Sequence, residues 1–111
     1  MKRFPSIKNN EDFRRIYRSG KSYADGMLVM YAVTNETGSN RIGISASRKI
    51  GNSVVRHTMT RLVREAFRLN DEKVKKGYDL VVVVREGAVG RRYNDISRSY
   101  MQLIKKHNIL I

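Results

Sequence analysis

Arginine is concentrated on one side of a segment near the middle of the chain. Counting about 100° per residue from Arg56, a set of polar and basic side chains falls within an arc of about 140°. Its members are Arg56, His57, Thr60, Arg61, Arg64 and Arg68. A planar guanidinium can bind two phosphate oxygens at once, and an array of one sign repels itself unless an anion is present. This face is therefore expected to bind phosphates, with an ordinary solvated helix face as the alternative.

Apolar residues occupy the opposite side of the same segment. They recur mainly at spacings of three and four residues: Val55, Met59, Leu62, Val63 and Ala66. This period is typical of an amphipathic α-helix, and residues 51–53 (Gly-Asn-Ser) supply a chain break and a capping side chain before it. The pattern predicts a long helix that ends near Asn70, with one side packed and the other cationic.

The charge balance of the whole chain also indicates a polyanionic partner. Lysine and arginine number 23 against 10 acidic residues, for a net charge of +13, which is far more than a small domain needs for solubility. Between residues 41 and 68 there are seven basic residues and one acidic residue, Glu65. Nucleic acid gains most from such a field because each phosphate contact releases counterions. With 41% hydrophobic residues, the chain 1–111 is expected to fold as one domain.

Cysteine content and apolar stretches bear on where the chain works. The absence of cysteine excludes disulfides, thiolate metal sites and cysteine nucleophiles, and it fits a reducing compartment. The longest apolar stretch, 27–33, is far shorter than the roughly 20 residues that span a bilayer. Residues 1–5 do not lead into the apolar region of a signal peptide. We therefore expect a cytoplasmic protein without a membrane partner.

The rest of the sequence predicts alternating helices and strands. A short helix is expected over 10–19, because Glu11 and Asp12 suit a helix N-terminus. Alternating and β-branched residues predict strands at 27–33, 41–47 and 78–84, the first two pairing as a hairpin across the polar turn 35–40. A last helix is expected to end near His107. These elements predict an α/β sandwich in which the central strand is 78–84.

The segment 47–68 resembles the signature of the bacterial ribonuclease P protein family. That family typically shows Lys-Lys-Val/Ile-Gly-Asn-Ala-Val-x-Arg-Asn-Arg-x-Lys-Arg-x-x-Arg, and this chain has Arg48 to Asn52 and the arginines at matching spacing. His57, Thr58 and Thr60 stand where the family usually has Asn, Arg and Lys. Further matches are spread along the chain: Asp12-Phe13, Gly20, Tyr31, Gly43-Ile44-Ser45, Tyr78-Asp79-Leu80-Val81 and Arg85.

The resemblance implies a fold and a role. The fold would be α+β, with about four strands in a mixed sheet, three helices in αβββαβα order and a left-handed βαβ crossover. The role would be to bind a catalytic RNA and precursor tRNA, while the RNA holds the Mg²⁺ that serves cleavage at the tRNA 5′ end. The expected RNA-binding residues are Arg48, Lys49, Asn52, Arg56, His57, Thr60, Arg61, Arg64 and Arg68.

The resemblance also implies a cleft for the single-stranded 5′ leader of precursor tRNA. Phe13, Tyr17 and Tyr31 match its aromatic positions, and stacking on aromatic rings tolerates any base. Arg48 and Lys49 would follow the leader backbone. The alternative is that the three aromatic residues belong to the core, since Phe13 and Tyr17 also fit an ordinary buried helix stripe.

An independent nuclease would need clustered carboxylates or a histidine acid and base. Neither pattern is apparent: Glu65 stands alone and the other acidic residues are scattered or adjacent. The two histidines, His57 and His107, could in principle form an acid/base pair, but a surface contact and a helix-end residue are the favoured interpretation. The sequence therefore predicts a binding subunit without catalytic or metal-ligating residues. A structural RNA-binding protein of ribosomal type is the main alternative. A helix that reads duplex DNA is a further one, although DNA is not the expected partner.

Overall fold

The computed structural model describes residues 6–111 as three α-helices and one four-stranded mixed sheet. The helices α1, α2 and α3 span Asn10–Ser19, Ser53–Asn70 and Tyr93–Lys106. The strands β1, β2, β3 and β4 span Lys21–Ala24, Leu28–Thr34, Arg41–Ser45 and Tyr78–Val84. This confirms the α+β class and the αβββαβα order, including β1, which only the resemblance implied. Residues 1–5, on which the signal-peptide argument rests, lie outside the described residues.

The first two helices begin where the sequence predicts, and each has a side-chain cap at its N-terminus. Asn9 Oδ1 accepts a hydrogen bond from the Glu11 amide of α1 at 2.8 Å, and Asn52 Oδ1 accepts one from the Val55 amide of α2 at 3.0 Å. Such caps satisfy amides that have no partner inside the helix. Within the described part of the chain, no helix is both long and apolar enough to cross a membrane.

The sheet corrects one predicted pairing. Its strand order is β1-β2-β4-β3, with β3 parallel to β4 and the other pairs antiparallel. The predicted hairpin of β2 with β3 is therefore wrong. The reason is that β4 is apolar along nearly its whole length and must be covered on both faces, so it lies between them in the centre of the sheet.

Two connections produce this order. β1 and β2 form a hairpin whose turn is held by Asp25 Oδ1, which accepts hydrogen bonds from the Met27 and Leu28 amides at 2.8 and 2.9 Å. β3 and β4, which are parallel neighbours, are joined through α2, as parallel strands require a crossover. The left-handed sense of that crossover stays a prediction.

The sheet separates two cores of unequal size. One face packs against α2 and α3, where Met30, Leu80 and Phe67 are among many buried side chains. The other face carries α1, and its small core has three buried members and three half-buried ones. They are Ile7, Ile16 and Val81, with Phe13, Tyr31 and Val33 packed against them. Consequently α2 rests on the main core, whereas α1 depends on a few contacts.

Candidate nucleic-acid interface

The residues predicted to bind phosphate lie on the outer side of α2. We call this set the cationic face: Arg56, His57, Thr60, Arg61, Arg64 and Arg68. His57, Arg61 and Arg68 are exposed, while the other three are half-buried. On the opposite side of the helix Met59, Val63, Ala66 and Phe67 are buried. The predicted division of α2 into a packed side and a cationic side is thus confirmed.

Within residues 6–111, one arginine of the cationic face is neutralised by a carboxylate. Arg68 Nη2 lies 2.7 Å from Glu65 Oε2, and the hydrogen bond from Arg68 lowers the pKa of the Glu65 carboxyl. Arg56, Arg61 and Arg64 form no ion pair with the described carboxylates. Their charges therefore project a positive potential that an external anion can meet.

Two of the three predicted cleft aromatics line a groove beside α1. The groove has a volume of about 410 Å³ and is lined by Asn10, Phe13, Arg14, Tyr17, Ile44 and Ser45; we call it the aromatic groove. Tyr17 is 39% exposed and Phe13 is half-buried. Tyr31 packs in the small core instead, with its ring edge-on to Tyr17 at a centroid distance of 4.9 Å. The structure therefore brings the three rings together: Phe13 and Tyr17 line the groove, and Tyr31 supports the Tyr17 ring from the small core.

Comparison with known proteins gives one consistent result. A family model described as Ribonuclease P matches residues 1–108. The ribonuclease P protein component of Lachnoclostridium phytofermentans is 50% identical over 105 residues, covering 95% of this chain and 90% of that protein. That of Alkaliphilus oremlandii is 41% identical, with 99% and 96% covered. The chain belongs to the ribonuclease P protein family.

Solved structures of the family agree with this fold. The ribonuclease P protein of Staphylococcus aureus has a TM-score of 0.88 at 33% identity, covering 98% of this chain and 100% of that one. The protein of Thermotoga maritima has a TM-score of 0.84 at 28% identity, with 91% and 96% covered. Family membership makes this chain the protein subunit of a tRNA-processing ribonucleoprotein nuclease that contains an RNA partner. The ribosomal-type alternative is not favoured.

The positions that depart from the ribonuclease P family pattern keep polar side chains on α2. Thr60 Oγ1 donates to the Arg56 carbonyl at 2.9 Å, which leaves its lone pairs as acceptors. His57 and Thr58 are exposed. Asn52, also predicted to bind RNA, uses its side-chain oxygen to cap α2, so its amide NH₂ group remains to face a ligand.

Arg48 and Lys49 lie exposed in a 3₁₀ turn, Arg48–Ile50, between β3 and α2. Lys49 lines a depression of about 480 Å³ together with Arg85, which the sequence analysis did not single out as a site residue. The turn begins three residues after Ser45, which lines the aromatic groove. The cations predicted to follow the leader thus lie three and four residues along the chain from the lining of the groove.

Gly43 on β3 permits the close approach of α1 to the sheet. A Cβ atom at this position would lie 2.8 Å from the Phe13 ring and 3.2 Å from Ile7 Cβ. Any larger residue would push the ring outward. The sequence signal was present, because Gly43 and Ser45 are small residues at alternate positions of a strand and so share one face, but only the structure shows α1 against that face.

The Asp79 cluster ties α1 to the sheet, and no pattern in the sequence indicates it. Asp79 is fully buried in β4; Arg41 binds its two carboxylate oxygens at 2.7 and 2.6 Å. Arg15 of α1 and Asn35 each donate to it at 2.9 Å. Burial raises the pKa of Asp79, but the hydrogen bonds from Arg41, Asn35 and Arg15 outweigh it, so the pKa lies below 3.8. Arg41, counted among the basic residues above, is therefore a structural partner of Asp79.

Two further carboxylates and one of the histidines are engaged locally. Asp71 pairs with Lys76 at 2.7 Å, and Asp25 accepts hydrogen bonds from Ser99 and the β1–β2 turn. His107 Nε2 lies 2.9 Å from the Met30 carbonyl, which can only accept, so this nitrogen carries the proton. Residues 6–111 contain no group of three or more His, Cys, Asp or Glu side chains that could hold a metal ion.

Proposed function

We propose that the cationic face of α2 binds the catalytic RNA of ribonuclease P. The observation that carries this proposal is that Arg56, Arg61 and Arg64 lie on one side of a helix that rests on the main core, without carboxylate partners in residues 6–111. A rigid array loses little freedom when it meets a phosphate backbone. Arginine can bind each phosphate through two hydrogen bonds. The acceptor lone pairs of Thr60 suit the ribose 2′-OH group, which distinguishes RNA from DNA.

We further propose that the aromatic groove holds the single-stranded 5′ leader of precursor tRNA. Phe13 and Tyr17 offer ring surfaces that accept any base by stacking. Arg14 lines the same groove, and Arg48 and Lys49 lie three and four residues after Ser45 of its lining, so these cations are available to phosphates of the leader. Tolerance of base sequence suits a subunit that serves many precursor tRNAs.

In this proposal the RNA partner, and not the protein, carries out the cleavage. The holoenzyme would work in the cytoplasm. In support of cleavage by the RNA, residues 6–111 hold no cluster of three or more His, Cys, Asp or Glu side chains that could bind a metal ion, and three of their carboxylates are bound by the protein's own cations: Asp79 by Arg41, Asp71 by Lys76 and Glu65 by Arg68. These side chains do not fit a magnesium site, and we derive no step through a protein-bound ion. In this proposal Mg²⁺ is held by the catalytic RNA, and the protein positions the substrate.

The two surfaces can be separated by variants. Arg61→Ala and Arg64→Ala should each weaken binding of catalytic RNA and reduce the slope of log K against log salt by about one. Phe13→Ala should leave that binding unchanged. It should weaken the preference of the holoenzyme for precursor tRNA over leaderless tRNA by about 1–3 kcal/mol, the loss of one stacked base. Equal effects of all three variants on both measurements would contradict the two-surface proposal.

Cleavage provides an independent test of the role. Added to bacterial ribonuclease P RNA at low Mg²⁺, the protein should restore cleavage of precursor tRNA. A gel shift with duplex DNA should show no preference for it over structured RNA. Failure to restore cleavage would contradict the proposal even if RNA binding were tight, because binding alone is also what a structural RNA-binding protein provides.

A further inference from the structure

A second groove lies beside the cationic face, between α2 and the start of α3. Its volume is about 360 Å³, within the range of sites that hold small ligands. It is lined by Arg61, Leu62, Glu65, Leu69 and Tyr93; we call it the Tyr93 groove. Leu62 and Leu69 are seven residues apart and so lie on one side of α2. Leu69 is 47% exposed, so part of the apolar lining of the groove is open to a ligand.

The side chains around the Tyr93 groove combine three chemistries. Tyr93 and the two leucines present an apolar and aromatic surface, and Arg61 brings to one edge a positive charge without a carboxylate partner in residues 6–111. Glu65, the single acid on this stretch of the helix, is held by Arg68 through two hydrogen bonds at 3.1 and 2.7 Å. Its carboxylate is an acceptor at the rim of the groove.

We propose that the Tyr93 groove receives an unpaired nucleobase of the catalytic RNA. The inference rests on the proposed binding of that RNA to the cationic face, since Arg61 belongs to both surfaces. Phosphates bound by the arginines bring nucleotides to the rim, where a base that is not paired can stack on Tyr93 and cover Leu69. Glu65 would accept hydrogen bonds from the amino or imino groups of the base. The net charge of +13 favours RNA over a protein as the occupant.

Stacking and phosphate binding respond differently to salt, which makes the proposal testable. Loss of a phosphate contact reduces the salt dependence of the affinity, because fewer counterions are released. Loss of a stacked base lowers the affinity at every salt concentration and leaves the slope unchanged, because no counterion is involved. The affinity of the full-length protein for catalytic RNA should therefore be measured over a range of salt concentrations for each variant.

Tyr93→Leu keeps apolar bulk but removes the aromatic surface. It should weaken RNA binding by at least about fivefold, from the energy of one stacked base, with the wild-type slope. Tyr93→Phe should bind like the wild type. Leu69→Ser, at an exposed position where folding is not at risk, should also weaken binding without a change of slope. Tyr23→Leu is the matched control, because Tyr23 is 38% exposed on β1 and its ring meets His107 edge to face; the RNA affinity of this variant should not change.

The outcomes separate this inference from the proposed function. If Arg64→Ala weakens binding while Tyr93→Leu and Leu69→Ser bind like the wild type, the nucleobase site is wrong and the cationic face stands. A reduced slope for Tyr93→Leu also overturns the nucleobase site. If Arg64→Ala has no effect, the proposed function fails first. Thermal melting identifies a folding defect in Tyr93→Leu, and in that case Leu69→Ser decides.

Discussion

The cationic face and the aromatic groove differ in what holds them in place. The cationic face is one side of a single helix, α2, whose other side is buried in the main core. The aromatic groove is formed between α1 and the edge strand β3, and α1 depends on a small core, on Gly43 and on the Asp79 cluster. The comparison indicates that a phosphate-binding surface needs only one packed helix, whereas a base-binding groove needs the distance between two elements to be maintained.

The largest effect is expected from Asp79→Asn, which weakens the contacts that hold α1 beside the aromatic groove and leaves α2 unchanged. The substitution leaves Arg41 and Arg15 without their negative partner, and breaking a buried ion pair costs about 3–5 kcal/mol. Because both arginines reach solvent, we expect about 2–3 kcal/mol less stability in chemical denaturation at pH 7. The exposed pair of Glu65 with Arg68 offers a matched control, and Glu65→Gln should change stability little.

The same substitution has a defined pH dependence. The pKa of Asp79 in the folded state lies below its ordinary value of 3.8. Its ion pairs therefore contribute their full stabilisation above the unfolded-state pKa, and this stabilisation is lost as the pH falls through the lower pKa of the folded state. The stability difference between wild type and Asp79→Asn should therefore be constant above about pH 5 and shrink in acid. A difference that disappears between pH 7 and pH 5 would contradict the assignment.

Gly43→Ala should open the groove by a direct steric effect. The added Cβ would lie 2.8 Å from the Phe13 ring, and overpacking of this kind costs about 1–3 kcal/mol. We expect weaker discrimination between precursor and leaderless tRNA, with unchanged affinity for catalytic RNA. Gly26→Ala is the stability control, because a Cβ there meets nothing within 4 Å. An unchanged preference for the leader would mean that the Phe13 position does not control the groove.

Arg15→Ala should have a smaller effect of the same kind. It removes the hydrogen bond at 2.9 Å that joins α1 to Asp79, while Arg41 stays bound. Because Arg41 still neutralises Asp79 and Arg15 is half-exposed, the loss should stay near the contribution of one hydrogen bond, about 1 kcal/mol, and the leader-dependent affinity should fall by a few-fold at most. Arg18→Ala removes the same charge from the same helix without breaking this contact. If both variants reduce the affinity equally and lower its salt slope, Arg15 acts on phosphate directly.

The smallest effect is expected from His107→Gln, because His107 belongs neither to the cationic face nor to the aromatic groove. Burial lowers its pKa, the hydrogen bond to the Met30 carbonyl opposes this, and nearby Lys21 adds to the lowering. The folded state therefore favours the neutral ring, and stability should fall as the pH drops below about 6.5, the unfolded value. His107→Gln should remove this part of the pH profile between pH 7 and pH 5. A wild-type profile in the variant would assign the loss to other groups.

Local features of the fold and site were predictable because they depend on neighbours in sequence. The helical period placed Arg56, Arg61 and Arg64 on one side of α2 and the apolar residues on the other. Asn52 capped that helix as its position indicates, and the β-branched run 78–84 became the central strand. The family resemblance added β1 and the aromatic positions, which the local pattern did not show.

Tertiary structure decided what residues distant in sequence do together. A period of two identifies β2 and β3 as strands but does not say which strand each will pair with. In the structure both pair with β4, one along each of its edges. Arg41 counts as one more cation in the sequence, yet the cost of burying the Asp79 charge makes it the partner of that carboxylate. The chain therefore determines by itself where its charges and apolar faces lie. Long-range packing determines which charges are left for RNA and how wide the groove beside Phe13 is.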